Sequence, residues 1–504
     1  MSKEYLLAID IGTSSCKTAV FDREGHVMDS AGSNYEVYYP HAGWAEQDPE
    51  EWWNGVCRAL QCMWDRGKVK PSQIACVGID GQSWSAIALD SEGKSLTRTP
   101  IWMDQRAKEQ CARAQEKIGR DAVFTLCGNP LLPSYTTGKV LWYREELPEV
   151  YSRIDKVLQS NSYIAYRLTG KITQDLSQGY GWHCFDMKKG PWDEEMARAF
   201  DIPVSFLPEI TGCETIVGTV TADASRSSGL PEGTPVTAGG LDAACGALGA
   251  GVLRSGETQE QGGQAGGMSI CLDTYIADPK LIMSFHVVPG RWLLQGGTVG
   301  GGGTMRWFEQ QFGDFERQNA KEAGKSSLVQ LGELAERVAP GCDGLTFLPY
   351  MSGERTPIWD PDAKGVFYGI DFSKTKGHFV RALMEGVAYS LRHNLETAEA
   401  VGAKADVLRA VGGSANSRLW TQIKADVTGA SIIVPYSDEA TTLGAAILAG
   451  VGCGMYASFE EAVALTVHET RRHEPDRSQK EVYDRSYHTY LALYEDLKGL
   501  MHER

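Results

Sequence analysis

The chain alternates between two hydrophobic periods. Near its start, Tyr5-Leu6-Leu7-Ala8-Ile9 is a short apolar run closed by Asp10. Lys17-Thr18-Ala19-Val20-Phe21-Asp22 returns after the turn Gly12-Thr13-Ser14. Runs of this length bounded by turn residues predict strands over 5–10, 17–22 and 26–30, with Glu24-Gly25 turning between the last two. Residues 50–64 change to helical spacing, with Trp52, Trp53, Val56 and Leu60 on one face. Residues 74–79 read as a buried strand leading to Asp80-Gly81-Gln82-Ser83-Trp84, and Ile87-Ala88-Leu89-Asp90 is expected to pair back on it. Strands alternating with helices place the chain in the α/β class.

The opening logic recurs at Val236-Thr237-Ala238-Gly239-Gly240-Leu241-Asp242, where an apolar strand meets glycines and ends in an aspartate. An Ala-rich helix is expected over 243–253, then glycine-rich β segments at 261–274 and 292–304, the latter with four glycines at 300–303. A β-turn-β element thus opens each half, which divides the chain into units 1–250 and 251–504. Phe379, Leu383, Val387, Leu391 and Leu395 recur every four residues and predict a core helix. A strand at 407–411, a turn at Gly412-Gly413-Ser414, a helix at 417–428, a strand at 431–434 and a helix from Thr441 follow. The charged tail from about 470 is expected to be a surface helix.

Composition narrows the function classes. A length of 504 residues exceeds one core and calls for two or three domains. The net charge of −16 argues against a nucleic acid or an anionic membrane as partner. No apolar run reaches 18 residues, so no membrane span is expected. The 12 cysteines include no Cys-x-x-Cys pair, and with no leader signal they suggest a reducing cytoplasm. The 56 glycines imply that many turns carry backbone function.

Candidate chemistry gathers at the strand ends. The Gly12-Thr13-Ser14 turn aims N–H groups and hydroxyls at one point, which suits a phosphate, and Asp10 beside it suits hydrated Mg²⁺. The plain alternative is an edge hairpin with a Gly turn. Asp242, after two glycines, is placed to take a proton from an alcohol attacking phosphorus, or else to cap a helix starting at Ala243. Gly412-Gly413-Ser414-Ala415-Asn416-Ser417 offers a helix N-terminus to an anion, or is a capped strand-to-helix turn. Gln82-Ser83-Trp84 and Trp102-Met103-Asp104-Gln105-Arg106 set polar groups beside indoles, as a sugar site does, although most tryptophans are core. A P-loop, a protein-kinase signature and a Gly-x-Ser-x-Gly elbow are absent.

Together these segments resemble the FGGY carbohydrate kinases of the sugar kinase/actin/Hsp70 superfamily. Ser134-Tyr135-Thr136-Thr137-Gly138-Lys139-Val140-Leu141-Trp142 is similar to the family's first signature, with Tyr143 a mismatch. Gly365-Val366-Phe367-Tyr368-Gly369-Ile370, with His378-Phe379 and Ala382-Leu383-Met384-Glu385, matches the second. The resemblance implies two actin-like (ribonuclease H-like) domains flanking a deep cleft, sugar mainly on the first and ATP mainly on the second. It makes Asp10 the Mg²⁺-linked carboxylate, Gly12, Thr13 and Ser14 the first phosphate loop, and Asp242 the general base. Gly302, Arg306, Gly412, Gly413, Ser414 and Ser417 fall where the family contacts adenosine and phosphates. The second phosphate loop departs: Gly263-Gln264-Ala265-Gly266-Gly267 has Gln where the family usually has Thr.

Within the family the sequence is most similar to the xylulokinases, which implies D-xylulose as substrate and Gln82, Ser83, Trp84, Trp102, Asp104, Asp242 and Ala243 as its contacts. Ser83-Trp84 replaces the usual Met-His, and Ala243 the usual Asn after the base, so gluconate and other ketoses or polyols stay open. The Arg-Glu pair of glycerol kinases is missing. Two non-kinase readings, a sugar-binding regulator and an actin-like ATPase, are weighed down by the retained Asp10 and Asp242 and by the two signatures. Family members often form homodimers, and no segment here identifies such a surface.

Overall fold

The computed structural model describes residues 4–324, 326–436 and 439–503. Two seven-stranded mixed sheets form its frame. The first runs Ile216–Thr219, Pro235–Thr237, Ile74–Gly81, Tyr5–Ile11, Ser15–Phe21, Val27–Asn34, with Gly240–Leu241 paired beside Ile74–Gly81. The second runs Ile282–Phe285, Trp292–Thr298, Gly266–Leu272, Glu257–Gly262, Val407–Val411, Ser431–Pro435, Glu469–His473.

The two sheets repeat one plan. Each opens with an antiparallel hairpin, adds a third antiparallel strand outside it, and later lays a parallel strand against the hairpin's first member. The strand Tyr5–Ile11 is therefore central and buried, not an edge. Its near-continuous apolar stretch is what a strand covered on both faces requires.

Three close backbone approaches lock the helix Ala440–Gly452 in place. A Cβ at Gly249 would stand 1.8 Å from the Ala440 carbonyl, and one at Gly444 would stand 1.9 Å from the Cys245 carbonyl. One at Gly78 would stand 1.9 Å from the Ala445 carbonyl. A helix from the C-terminal half thus packs on both Asp242–Gly249 and the first sheet, and a single hydrophobic cluster runs through both halves.

Several expectations are corrected. Ile87–Leu89 pairs with Lys156–Leu158 rather than with Ile74–Gly81, because the chain leaves the sheet after Gly81. The tail is not wholly a surface helix: Glu469–His473 forms the last strand of the second sheet. The helix Lys480–Met501 then buries Tyr483, Tyr487 and Tyr490. The glycine block at 300–303 is half helix, since Gly302–Phe312 is α-helical. Among the described residues no helix is long and apolar enough to cross a membrane.

Candidate functional site

The C-terminal ends of three adjacent strands bring three carboxylates together. Asp10 and Asp80 sit opposite each other on parallel strands, and Gly240, two residues before Asp242, pairs with Asp80 from the other side. Burial pushes the Asp10 carboxyl up to about 6, against the opposing pull of Asp80 and of Lys17. Asp80 is fully buried, and burial with the charges of Asp10 and Asp242 holds it well above the usual carboxylate range. Both Asp80 carboxyl oxygens are buried with no hydrogen-bond partner among the described residues. Burial, then the charge of Asp10, pushes Asp242 up to about 7, while the Ala243 N–H donating to its Oδ1 at 2.6 Å pulls it down. Asp242 is the first residue of its helix and Leu241 stands at the cap position, while the carboxylate accepts the first-turn Ala243 N–H as well as facing the cavity.

The turn after Asp10 is braced from behind. The Gly12 carbonyl accepts from the Tyr35 hydroxyl at 2.5 Å and from Gln82 Nε2 at 3.4 Å. The Thr13 carbonyl accepts from Gln47 Nε2 at 2.7 Å, and the Ser14 carbonyl from the Tyr35 N–H at 3.2 Å. Three successive carbonyls are thus pinned, the Gly12 N–H donates to the Ser15 carbonyl at 3.1 Å, and Thr13 lines the cavity. Gln82 is thus a buried brace of this turn, and its Nε2 also donates to Gln47 Oε1 at 2.8 Å.

A cavity of about 390 Å³ opens between the halves. Thr13, Ser83, Trp84, Trp102, Asp242 and Ala243 line one wall, and Gly263 and Gln264 line the other, so eight of the sequence-predicted residues meet there. Trp102 Nε1 donates to Thr13 Oγ1 at 2.9 Å. Trp84 has φ +61°, a strained conformation for so bulky a residue. It is held by Lys139, whose Nζ donates to the Trp84 carbonyl at 2.5 Å, and by Tyr135 stacked at 4.1 Å. Tyr180 donates to Ser83 Oγ at 2.9 Å.

Other predicted residues stand elsewhere. Asp104 is fully buried behind Trp102, accepting from the Ala45 N–H at 2.7 Å and pairing with Arg106. Gly302 and Gly303 spend their N–H groups on the carbonyls of Gly263 (2.7 Å) and Gln264 (2.9 Å), so this helix start holds the glycine loop. Arg306 is exposed on the same helix, away from the cavity lining. Gly412, with φ +86°, lies against Gly262, and Ser414 Oγ accepts from Lys424 at 2.8 Å. Ser417 caps the helix Arg418–Thr428, accepting from the Trp420 N–H at 3.2 Å. Gly413 is open to solvent. Gly412 and Ser414 thus pack against Gly262, and none of this group lines the cavity. Gln264 is exposed and lies alongside Gly303.

Sequence reasoning passed over Asp80, Tyr180, Lys139 and Arg355. A carboxylate inside the apolar run 74–79 and its extension was the available sign for Asp80. Arg355, which lines the cavity, lies in an irregular segment where neither hydrophobic period gives a cue.

Among the described residues no three His, Cys, Asp or Glu side chains are grouped closely enough to enclose a metal. A half-buried carboxylate backed by a second one suits instead a hard cation that keeps most of its water. A second hollow of about 560 Å³ around Arg392, Asp426 and Lys480 contains none of the motif residues.

Comparison with known proteins shows the family and the fold. Residues 5–249 match the N-terminal domain model, and residues 274–453 the C-terminal domain model, of the FGGY family of carbohydrate kinases. A xylulose kinase of Staphylococcus epidermidis is 30% identical over 505 residues, covering 99% of this chain and 98% of that one. A gluconokinase of Bacillus subtilis is 30% identical over 500 residues, covering 99% and 96%. The crystal structure of xylulose kinase from Rhodospirillum rubrum superposes with a TM-score of 0.88 at 29% identity, covering 99% of this chain and all of that one. The expected pair of actin-like domains is the architecture the chain shares with these structures.

Proposed function

This chain belongs to the FGGY family of carbohydrate kinases, and we propose that it transfers the terminal phosphoryl group of ATP to a hydroxyl of D-xylulose. The observation that carries this reading is Asp242, a carboxyl near neutrality at one end of a cavity walled by Trp84 and Trp102 and closed by the glycine loop 263–267. A base of that pKa is half ionised at physiological pH, where proton abstraction from an alcohol is most effective.

Residues 1–250 mainly carry the sugar and residues 251–504 mainly the nucleotide. The sugar's C–H face packs on Trp84 and Trp102, and Ser83 and Tyr180 meet its hydroxyls. Asp242 accepts the proton of the attacking hydroxyl. The turn Gly12-Thr13-Ser14 and the loop 263–267 receive the phosphates, and the adenosine lies beside Gly412, Gly413, Ser414 and Ser417. Asp10, backed by Asp80, would hold hydrated Mg²⁺, which supplies charge neutralisation at the nucleotide phosphates. Closure over the cavity excludes the water that would otherwise accept the phosphoryl group.

The test is ADP release with Mg-ATP across D-xylulose, D-ribulose, L-ribulose, L-xylulose, gluconate, glycerol and erythritol. D-xylulose is expected to give the highest kcat/KM. A stronger response to another sugar would replace the substrate, and silence across the panel with ATP still bound would refute the kinase reading for this chain.

A further inference from the structure

The proposed transfer leaves a charge problem. Asp242 stands on the first wall, with Asp10 and Asp80 next to it on the adjacent strands, and the loop 263–267 on the second contributes no charged side chain. Among the described residues lining the cavity, Arg355 is the one that carries positive charge.

Its backbone is held rigidly. Glu354 Oε1 accepts from the Val299 N–H at 2.6 Å and from the Arg355 N–H at 2.8 Å. Thr356 Oγ1 accepts from the Gly297 N–H at 2.7 Å, and the Thr356 N–H donates to the Gly297 carbonyl at 3.2 Å. The segment 354–356 is thereby stitched to the end of the strand Trp292–Thr298. A Cβ at Gly297 would lie 3.1 Å from the Arg355 guanidinium carbon, so a glycine there lets the side chain lie flat across the strand end.

The guanidinium itself is underused. Nη2 donates to the Thr298 carbonyl at 3.2 Å, and its carbon lies 5.7 Å from the centre of a Trp102 ring. Among the described residues no carboxylate lies within ion-pair distance of it. Arginine has about five N–H donors in a planar fork, a shape that matches phosphoryl oxygens. Arg355 is half-buried, and with no carboxylate paired to it the fork is free to meet an anion in the cavity.

We propose that Arg355 is a catalytic residue that binds the oxygens of the phosphoryl group in transit, an assignment that rests on the kinase reading above. The sugar hydroxyl oxygen forms the new bond to the γ-phosphorus, and its proton passes to Asp242. The bond from that phosphorus to the β,γ-bridging oxygen breaks, and ADP leaves with the electron pair. Arg355 neutralises charge on the non-bridging oxygens between these events. Because Arg355 also touches Trp102, and Trp102 holds Thr13, the same guanidinium couples this clamp to the meeting of the two walls.

The test compares Arg355→Met and Arg355→Lys with the parent protein, after checking that melting temperatures agree. ADP with aluminium fluoride and sugar mimics the group in transit. Arg355→Met is expected to weaken that complex about 100-fold and to lower kcat by about 10²–10³-fold, the scale for loss of one preorganised donor group. ADP affinity and the KM for sugar should stay within about threefold, and Arg355→Lys should recover at least about tenfold in kcat because the charge returns. An aluminium-fluoride complex as tight in Arg355→Met as in the parent would overturn the proposal. So would a loss confined to the KM for sugar, which would make Arg355 a sugar contact. A parent protein that forms no such complex would overturn the kinase reading itself, and the assignment with it.

Discussion

Asp242→Asn should make the protein more stable while stopping turnover, and the size of both effects follows from one carboxyl. Its pKa rises from 3.8 in the unfolded chain to about 7 in the folded one. Between those values the folded state binds a proton that the unfolded state has lost, so stability falls as pH rises through the window and the penalty is complete above pH 7. Three units at about 1.4 kcal/mol each give an upper figure of about 4 kcal/mol. Asp242 is only partly buried and opens onto cleft water, so about half of that, near 2 kcal/mol, is expected. Asparagine is neutral at every pH and keeps an oxygen for the Ala243 N–H.

The assay is thermal melting of both proteins without nucleotide or Mg²⁺. At pH 8 the variant should melt about 4 °C higher. At pH 4.5 the folded carboxyl is protonated, and the advantage should shrink to about a quarter. Turnover should fall by about 10²–10⁴-fold, the usual contribution of a general base. A variant less stable than the parent at pH 8, or an advantage that ignores pH, would refute the electrostatic argument. A kcat within tenfold of the parent would refute the role as base.

Three further outcomes are expected. The same carboxyl sets the acid limb of the pH–rate profile: kcat/KM should fall about tenfold per unit below about pH 6, and the residual rate of Asp242→Asn should be flat over that range. Gly301→Ala puts a Cβ 2.4 Å from the Ala265 backbone and must push the loop 263–267 out of place. An overpacking cost of about 1–3 kcal/mol predicts ATP binding about 10–100-fold weaker by calorimetry, and binding within threefold of the parent would contradict that use of the loop. Trp102→Phe keeps the ring but loses the 2.9 Å hydrogen bond to Thr13, so KM for sugar and ATP should rise about 3–10-fold, with an unchanged KM arguing that the bond is idle.

What the sequence made legible, and what it did not, divides along a physical line. The hairpin around Asp10, the helix Lys376–Ala400 and the strand-to-helix step at Asp242 all appear because local periodicity and turn chemistry determine them. Ile87–Leu89 was given the wrong partner because an apolar triplet records that it is buried, not what covers it, and its partner lies about 70 residues on. Gln82 and Asp104 were read as sugar contacts from their place beside an indole. The structure turns both inward, Gln82 to brace the Gly12 turn and Asp104 to hold Arg106. Arg355 was invisible for the opposite reason: its value comes from facing a wall built some 250 residues earlier, and no local pattern records that.

The division of charge between the walls bears on why such a site spares ATP from water. Asp242 is attached to the first sheet, and Arg355 to the end of a strand in the second. Neither group alone favours hydrolysis: the base lacks a polarised phosphorus to direct an attack toward, and the cation lacks a base to generate a nucleophile. In their proposed roles they would bear on the same phosphorus from opposite walls, which the Arg355–Trp102–Thr13 contact joins. On the proposed function, a sugar between Trp84 and Trp102 would displace water from the cavity that both groups line. A chain with both groups on one wall would activate water in the open state. Placing them on separate halves makes the acceptor a condition of catalysis.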